Sequence, residues 1–179
     1  MTFLDLVRKR YSLRQYAAKS VPRDVIDRCL EAARLAPSAC NSQPWTFLVA
    51  DTEPARGKLA SVAFGGIYSM NVFAAKAPVL IAVIAEHSKY AARLGGHLRG
   101  VQYNLVDLGI ACEHLVLQAA EEGLGTCWLG WFNERAVRKE LGLPWGTTIP
   151  LLISAGYPGI EPPRKKNRKS LEEIRRYRS

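Results

Sequence analysis

The four cysteines, Cys29, Cys40, Cys112 and Cys127, form no C-x-x-C pair, and the three histidines, His87, His97 and His114, are scattered. Structural zinc needs clustered thiols and imidazoles, so no metal site is expected. Without a disulfide framework the thiols are read as free, which suits a reducing cytoplasm. Long apolar runs are missing too. The longest, Ala77 to Ala85, contains Pro78 and falls far short of the ~20 residues a membrane span requires. The opening residues, MTFLDLVRKRYS, carry their charges after the apolar residues, the reverse of a secretory signal. No G-x-G-x-x-G follows a strand, and neither a G-x-S-x-G elbow nor a Walker loop is present. A Rossmann dinucleotide site and the hydrolase and nucleoside-triphosphatase loops are therefore unsupported. Internal repeats are also absent.

What is present suits one globular domain. The chain has 179 residues, 48% of them hydrophobic and 23% charged, enough to bury a real core. Its net charge of +9 is unevenly placed. Residues 164–179 hold eight Lys/Arg and two Glu, which is +6 and leaves +3 for the rest. A local excess of this kind reads as a solvated or anion-binding tail rather than a nucleic-acid surface.

The stretch from Val101 to Phe132 organises the chain. Its first part reads as one long helix that stops at Gly123-Leu124-Gly125. About twenty residues at 1.5 Å each make a rod of roughly 30 Å. Leu105, Leu108, Cys112, Leu115, Val116 and Ala119 form one apolar stripe; Val106, Ile110, Leu117 and Ala120 form another. Polar residues keep a narrow strip through Asp107, His114, Gln118 and Glu121. A helix apolar over most of its circumference needs cover on nearly all sides, and a second subunit is expected to supply part of it. The helix empties into Thr126-Cys127-Trp128-Leu129-Gly130-Trp131, where the backbone can approach something flat.

Elsewhere, Thr2 and Asp5 read as a capping pair opening a short helix through Arg8. It leads into Arg10-Tyr11-Ser12-Leu13-Arg14, a loop rich in donors that suits a phosphate and a polar ring edge; the alternative is a charged helix end in water. Pro22 and Asp24 open a second helix with Val25, Ile26, Cys29, Leu30 and Ala33 facing inward. Ser38 to Trp45 gathers small hydroxyls, two amides and an indole, groups that match a heteroaromatic ring or, alternatively, a capped turn. Strands are expected at Thr46–Ala50, Pro78–Ala85 and Thr147–Ala155. Helices are expected at Glu53–Ala63, from Asn133 through Leu141, and after Ser170 with its partner Glu173. Residues 86–97, with His87, Lys89, Tyr90 and Arg93, read as a lid.

Six motifs then occur in order: Arg10–Arg14, Pro37–Trp45, Asp107–Ala111, Gly123–Trp128, Ala155–Pro158 and Lys166–Ile174. Over nearly the whole chain this pattern resembles the FMN-dependent nitroreductase family. The resemblance implies an α+β, three-layer α/β/α fold over residues 1–179, with a central mixed or mostly antiparallel sheet and a long central dimer helix. The basic tail, 162–179, would belong to the flavin and dimer site. It further implies that Arg10, Tyr11, Ser12 and Arg14 hold the FMN phosphate, ribityl chain and pyrimidine edge, with Lys166 and Arg168 completing the phosphate site. Pro37, Ser38, Ala39 and Asn41 would reach the flavin of the other subunit, and Leu129 and Gly130 would offer backbone to the flavin N5 edge. Three positions depart from the family pattern: Cys40, His114 and Trp131. Cys40 is read as a buried, inert thiol or, alternatively, an oxidation point, and Trp131 as narrowing the space above the flavin. The chain is short for the family, which implies a reduced lid.

The implied activity is that of a cytoplasmic FMN-dependent NAD(P)H oxidoreductase. A homodimer would reduce nitroaromatics, quinones or similar electron-poor acceptors by a ping-pong hydride cycle. The flavin would carry the chemistry, and Arg14 would stabilise negative charge on the reduced ring. The alternatives are a dehalogenase, an azoline oxidase or a flavin-cleaving enzyme of the same fold, or a non-catalytic flavin sensor.

Overall fold

The computed structural model describes residues 1–86, 100–161 and 166–178. The expected lid residues 87–97, and Pro162 to Lys165 of the tail, lie outside this set.

A reciprocal capping box opens α1 (Phe3–Lys9), with Thr2 and Asp5 each accepting from the other's backbone N–H. Next come α2 (Arg23–Arg34), β1 (Trp45–Ala50) and α3 (Glu53–Ala63). A run of 3-10 turns, Gly66–Lys76, precedes β2 (Val79–Ala85). The long helix is α4 (Tyr103–Glu121), and β3 (Gly125–Leu129) follows within four residues. The chain continues through α5 (Glu134–Glu140), β4 (Thr148–Gly156) and α6 (Leu171–Ile174). Asn133 caps α5 by accepting from the Ala136 N–H, and a second capping box, Ser170 with Glu173, opens α6.

The strands pair in the order β1-β2-β4-β3, each pair antiparallel. Strand β2 is buried along six of its seven residues because helices cover both faces. Val79, Ile81 and Val83 meet α2 and α4 on one face; Leu80 and Ala82 meet α3, α5 and the 3-10 run on the other. That gives the expected three layers. In β4, Ile153 and Ala155 face the α4 layer and Leu152 the α3 layer. The pairing register shifts by one residue between Val83 and Ala85, opposite Pro150. A bulge there tolerates the proline and turns Ile149 to the same face as Leu152.

Three features differ from the sequence reading. Gly125–Leu129 is a fourth strand; five residues between glycines carry too little period-2 signal to announce one. The 3-10 run lacked a signal beyond Gly65-Gly66. The polar strip of α4 is turned inward at its start, since Asp107 is buried and His114 Nδ1 lies 3.2 Å from the Ala32 carbonyl oxygen on α2.

Candidate active site

Past Arg10 the chain runs extended beside β3. Ser12 bridges Thr126, and the Leu13 N–H donates to the Thr126 carbonyl at 2.9 Å. Further along, Ala17 N–H donates to Tyr157 O and Gly159 N–H to Gln15 O, both at 2.9 Å. The extended alternation buries Leu13 and leaves Ser12 and Arg14 exposed. Leu13 fits against Gly125, where a Cβ would stand 2.5 Å from Leu13 Cδ2. The Tyr16 hydroxyl ties the arm down through Ser154 Oγ at 2.7 Å and donates to Leu13 O at 2.9 Å. Burial pushes the Tyr16 phenol well above its ordinary value, so it stays protonated.

The two chain ends meet at this arm. Lys166 Nζ donates to Val7 O at 3.0 Å and to Arg10 O, which seats the tail on the last turn of α1. Desolvation, followed by the nearby charges of Arg10 and Arg168, lowers the Lys166 ammonium pKa. Among the described residues no carboxylate pairs with Arg10, Arg14, Lys166 or Arg168. Three neighbouring cations without a counter-charge fit a dianionic phosphate. Beside them a cleft of about 90 Å³ is lined by Lys9, Arg10, Tyr11, Leu124 and Thr126, among others. The Tyr11 hydroxyl is shut from solvent there without a partner among the described residues.

At the far end of β3, Leu129 is locked in the core while Gly130 is exposed, and a Cβ on Gly130 would meet nothing within 4 Å. Trp131 is pinned beside it. Its Nε1–H donates to Ile67 O at 2.9 Å, and its carbonyl accepts from Asn71 Nδ2 at 2.8 Å. Its ring sits 5.4 Å from that of Tyr68. The Arg14 guanidinium lies over Phe73, 5.8 Å from the ring centroid. The 3-10 run therefore joins the Arg14 end of the candidate site to the Gly130 end, a role the sequence reading missed.

The loop after α2 is separate. Cys40, Asn41 and Gln43 all have left-handed backbones, with φ of 52, 50 and 47°. Such residues store strain of order 1 kcal/mol each and cluster at functional sites. Ser38 Oγ accepts from the Gln43 N–H at 2.9 Å, and Asp107 Oδ1 accepts from the Ala39 N–H at 3.0 Å. Cys40 is exposed, which corrects the expectation of a buried thiol: the left-handed turn throws it outward. Burial instead holds Cys29 and Cys112 up to about 12, so neither is a thiolate at neutral pH. None of the hydrogen bonds of Pro37, Ser38, Ala39 or Asn41 reaches residues 10–14, 129–130 or 166–168.

The sequence model of the nitroreductase family matches residues 7–69 and 68–157. The chain belongs to the nitroreductase family. An NADH dehydrogenase of Thermus thermophilus is 30% identical over 86% of this chain and 85% of its own. Rat iodotyrosine deiodinase 1 is 28% identical over 96% of this chain and 68% of its own. The solved FMN-dependent nitroreductase of Clostridium difficile R20291 superposes with a TM-score of 0.76 at 25% identity, covering 99% of both chains. The α+β nitroreductase fold, and membership of an oxidoreductase family, are thereby established. Among the described residues no helix is long and apolar enough to cross a membrane, and no three His, Cys, Asp or Glu side chains converge on a metal position.

Proposed function

We propose that this nitroreductase-family chain is an FMN-dependent NAD(P)H oxidoreductase that reduces electron-poor acceptors such as nitroaromatics or quinones. The observation that carries the reading is the unneutralised group Arg10, Lys166 and Arg168, set against the same arm as Ser12 and Arg14. Bound FMN would supply hydride acceptance and two-electron transfer. Arg10, Lys166 and Arg168 would hold its phosphate, and Tyr11 and Ser12 would line the ribityl chain. Arg14 would place positive charge at the pyrimidine edge, where charge gathers on reduction. The Gly130 N–H would orient the ring at N5 from the end of a rigid strand.

The arrangement argues for a homodimer. The loop 37–43 leads into β1, at the sheet edge opposite β3, about 14 Å away across three strand spacings. Pro37, Ser38, Ala39 and Asn41 would then serve a flavin held mainly by a second copy. The first turn of α4 supports this, since Val106 of the second stripe is 52% exposed and Leu105 of the first 40%. No side chain of α1 is buried in the protomer, and Phe3 is 67% exposed. Exposed apolar faces of this kind are typical of self-complementary interfaces.

The test is purification followed by anaerobic reduction. The protein should be a yellow dimer by light scattering, release FMN on heating, and bleach rapidly with NADH or NADPH. A protein that cannot be loaded with FMN, or a flavin-loaded monomer, would overturn the corresponding part. One observation favours a second reading: the rat iodotyrosine deiodinase match spans 96% of this chain. Faster reoxidation of the reduced protein by iodotyrosine than by nitroaromatics would select reductive dehalogenation.

A further inference from the structure

We propose that Asp107 is the positioning residue for the loop 37–43, an inference that rests on the FMN reading above. Asp107 is 3% exposed on α4, and its Oδ1 accepts from the Ala39 N–H at 3.0 Å. Among the described residues the other hydrogen bonds of the turn, such as Ser38 Oγ to the Gln43 N–H and the Trp45 N–H to Gln43 O, stay within residues 38–45. Among the described residues, Asp107 is thus the side chain outside the turn that hydrogen-bonds to it. A carboxylate accepting a backbone N–H makes a charge-assisted bond, strengthened where water is excluded. It fixes the plane of the 38–39 peptide, and with it the directions that Ser38, Ala39 and Asn41 face. Left-handed backbone at Cys40, Asn41 and Gln43 persists only where surroundings over-determine it.

A second observation separates this role from ordinary core packing. Asp107 Oδ2 and the Ser42 hydroxyl are both sealed from solvent with no partner among the described residues. A buried carboxyl group with one of its two oxygens unpartnered among the described residues is a poor choice for stability alone. On the flavin reading, its presence is explained by the geometry it imposes on a loop that would face the cofactor.

Two measurements test the assignment. In apoprotein, hydrogen exchange should find the Ala39 amide protected by about tenfold or more relative to Cys40, whose N–H makes no hydrogen bond among those of the turn. Asp107→Asn, which keeps an oxygen, should preserve that protection, and Asp107→Ala should abolish it. In FMN titrations Asp107→Ala should weaken binding about ten- to hundredfold, the loss of one charge-assisted contact's worth of order, with Asn within about threefold. Leu115→Ala, equally buried on α4 but not tied to the loop, should lower the melting temperature and leave FMN affinity within about threefold of wild type. Unprotected Ala39 in wild type, or wild-type FMN affinity in Asp107→Ala, would overturn the assignment. If Asp107→Ala does not fold, exchange in wild type and Asp107→Asn still decides. A wild-type protein that binds no FMN would sink the flavin reading, while the exchange result would still judge Asp107.

Discussion

Strand β3 has a glycine at each end, and alanine at the two positions should have opposite consequences. At Gly125 the new Cβ would lie 2.5 Å from Leu13 Cδ2 and 2.7 Å from Leu13 Cβ. A different Leu13 rotamer moves the first atom but not the second, and Leu13 is fully buried. The backbone of residues 12–14 must therefore retreat. Overpacking of this kind costs about 1–3 kcal/mol, offset in part by the lower chain entropy of alanine, for a net loss of about 1–2 kcal/mol. For a chain of this size that is a fall of about 2–8 °C in Tm. The retreat also strains the bond from the Leu13 N–H to Thr126 O and shifts Ser12 and Arg14, so FMN affinity should drop by about tenfold. At Gly130 the Cβ enters open space, so the loss should stay within about 0.5 kcal/mol. Thermal unfolding of the two apoproteins, followed by flavin titration, gives both quantities. The reasoning is refuted if Gly125→Ala melts and binds FMN like wild type, or if Gly130→Ala is as destabilised as Gly125→Ala.

Arg168→Ala should weaken FMN binding by about 1.5–3 kcal/mol with little change in apoprotein Tm, whereas Lys169→Ala should leave both nearly unchanged. Lys166→Ala should weaken FMN and also lower Tm, because Lys166 ties the tail to the Val7 and Arg10 carbonyls; equal, small effects at all three would indicate a merely solvated tail. Gly130→Pro removes the N–H proposed to meet flavin N5 while Gly130→Ala keeps it. Stopped-flow reduction by NAD(P)H should therefore be slower in the proline variant, and matching rates would show that this N–H is unimportant.

Much of the fold was legible because its signals are local. The capping pairs Thr2 with Asp5 and Ser170 with Glu173 name their own helix starts, and α4 declares itself by an apolar period sustained over five turns. Strands β1, β2 and β4 fall within a residue of their expected limits. What failed to show was set by distant partners. Strand β3 is defined by pairing with β4, and the 3-10 run by its bonds to the Trp131 loop. The burial of Asp107 arises from a contact 68 residues away in sequence, with Ala39. In the candidate site, the convergence of Arg10 with Lys166 and Arg168 was anticipated through the resemblance. The outward turn of Cys40 was not, since a left-handed non-glycine backbone leaves no composition signal.

The unfavourable terms of the protomer are not spread evenly, and their placement is itself informative. Like charges gather where Arg10, Lys166 and Arg168 meet. Left-handed strain gathers at Cys40, Asn41 and Gln43. The buried polar atoms without partners among the described residues, on Tyr11, Ser42 and Asp107, fall beside one group or the other. The sheet between them carries an interior of Val, Leu, Ile and Ala with no such defect. Stability alone would disperse or remove these terms, because each costs free energy that no contact among the described residues returns. A phosphate would neutralise the first group, and a ring bridging two protomers would give the second something to face. On the proposed reading, cofactor binding and self-association are therefore expected to be coupled. Each would supply what the other half of the site lacks, so the affinity for FMN should be a property of the pair of chains rather than of one.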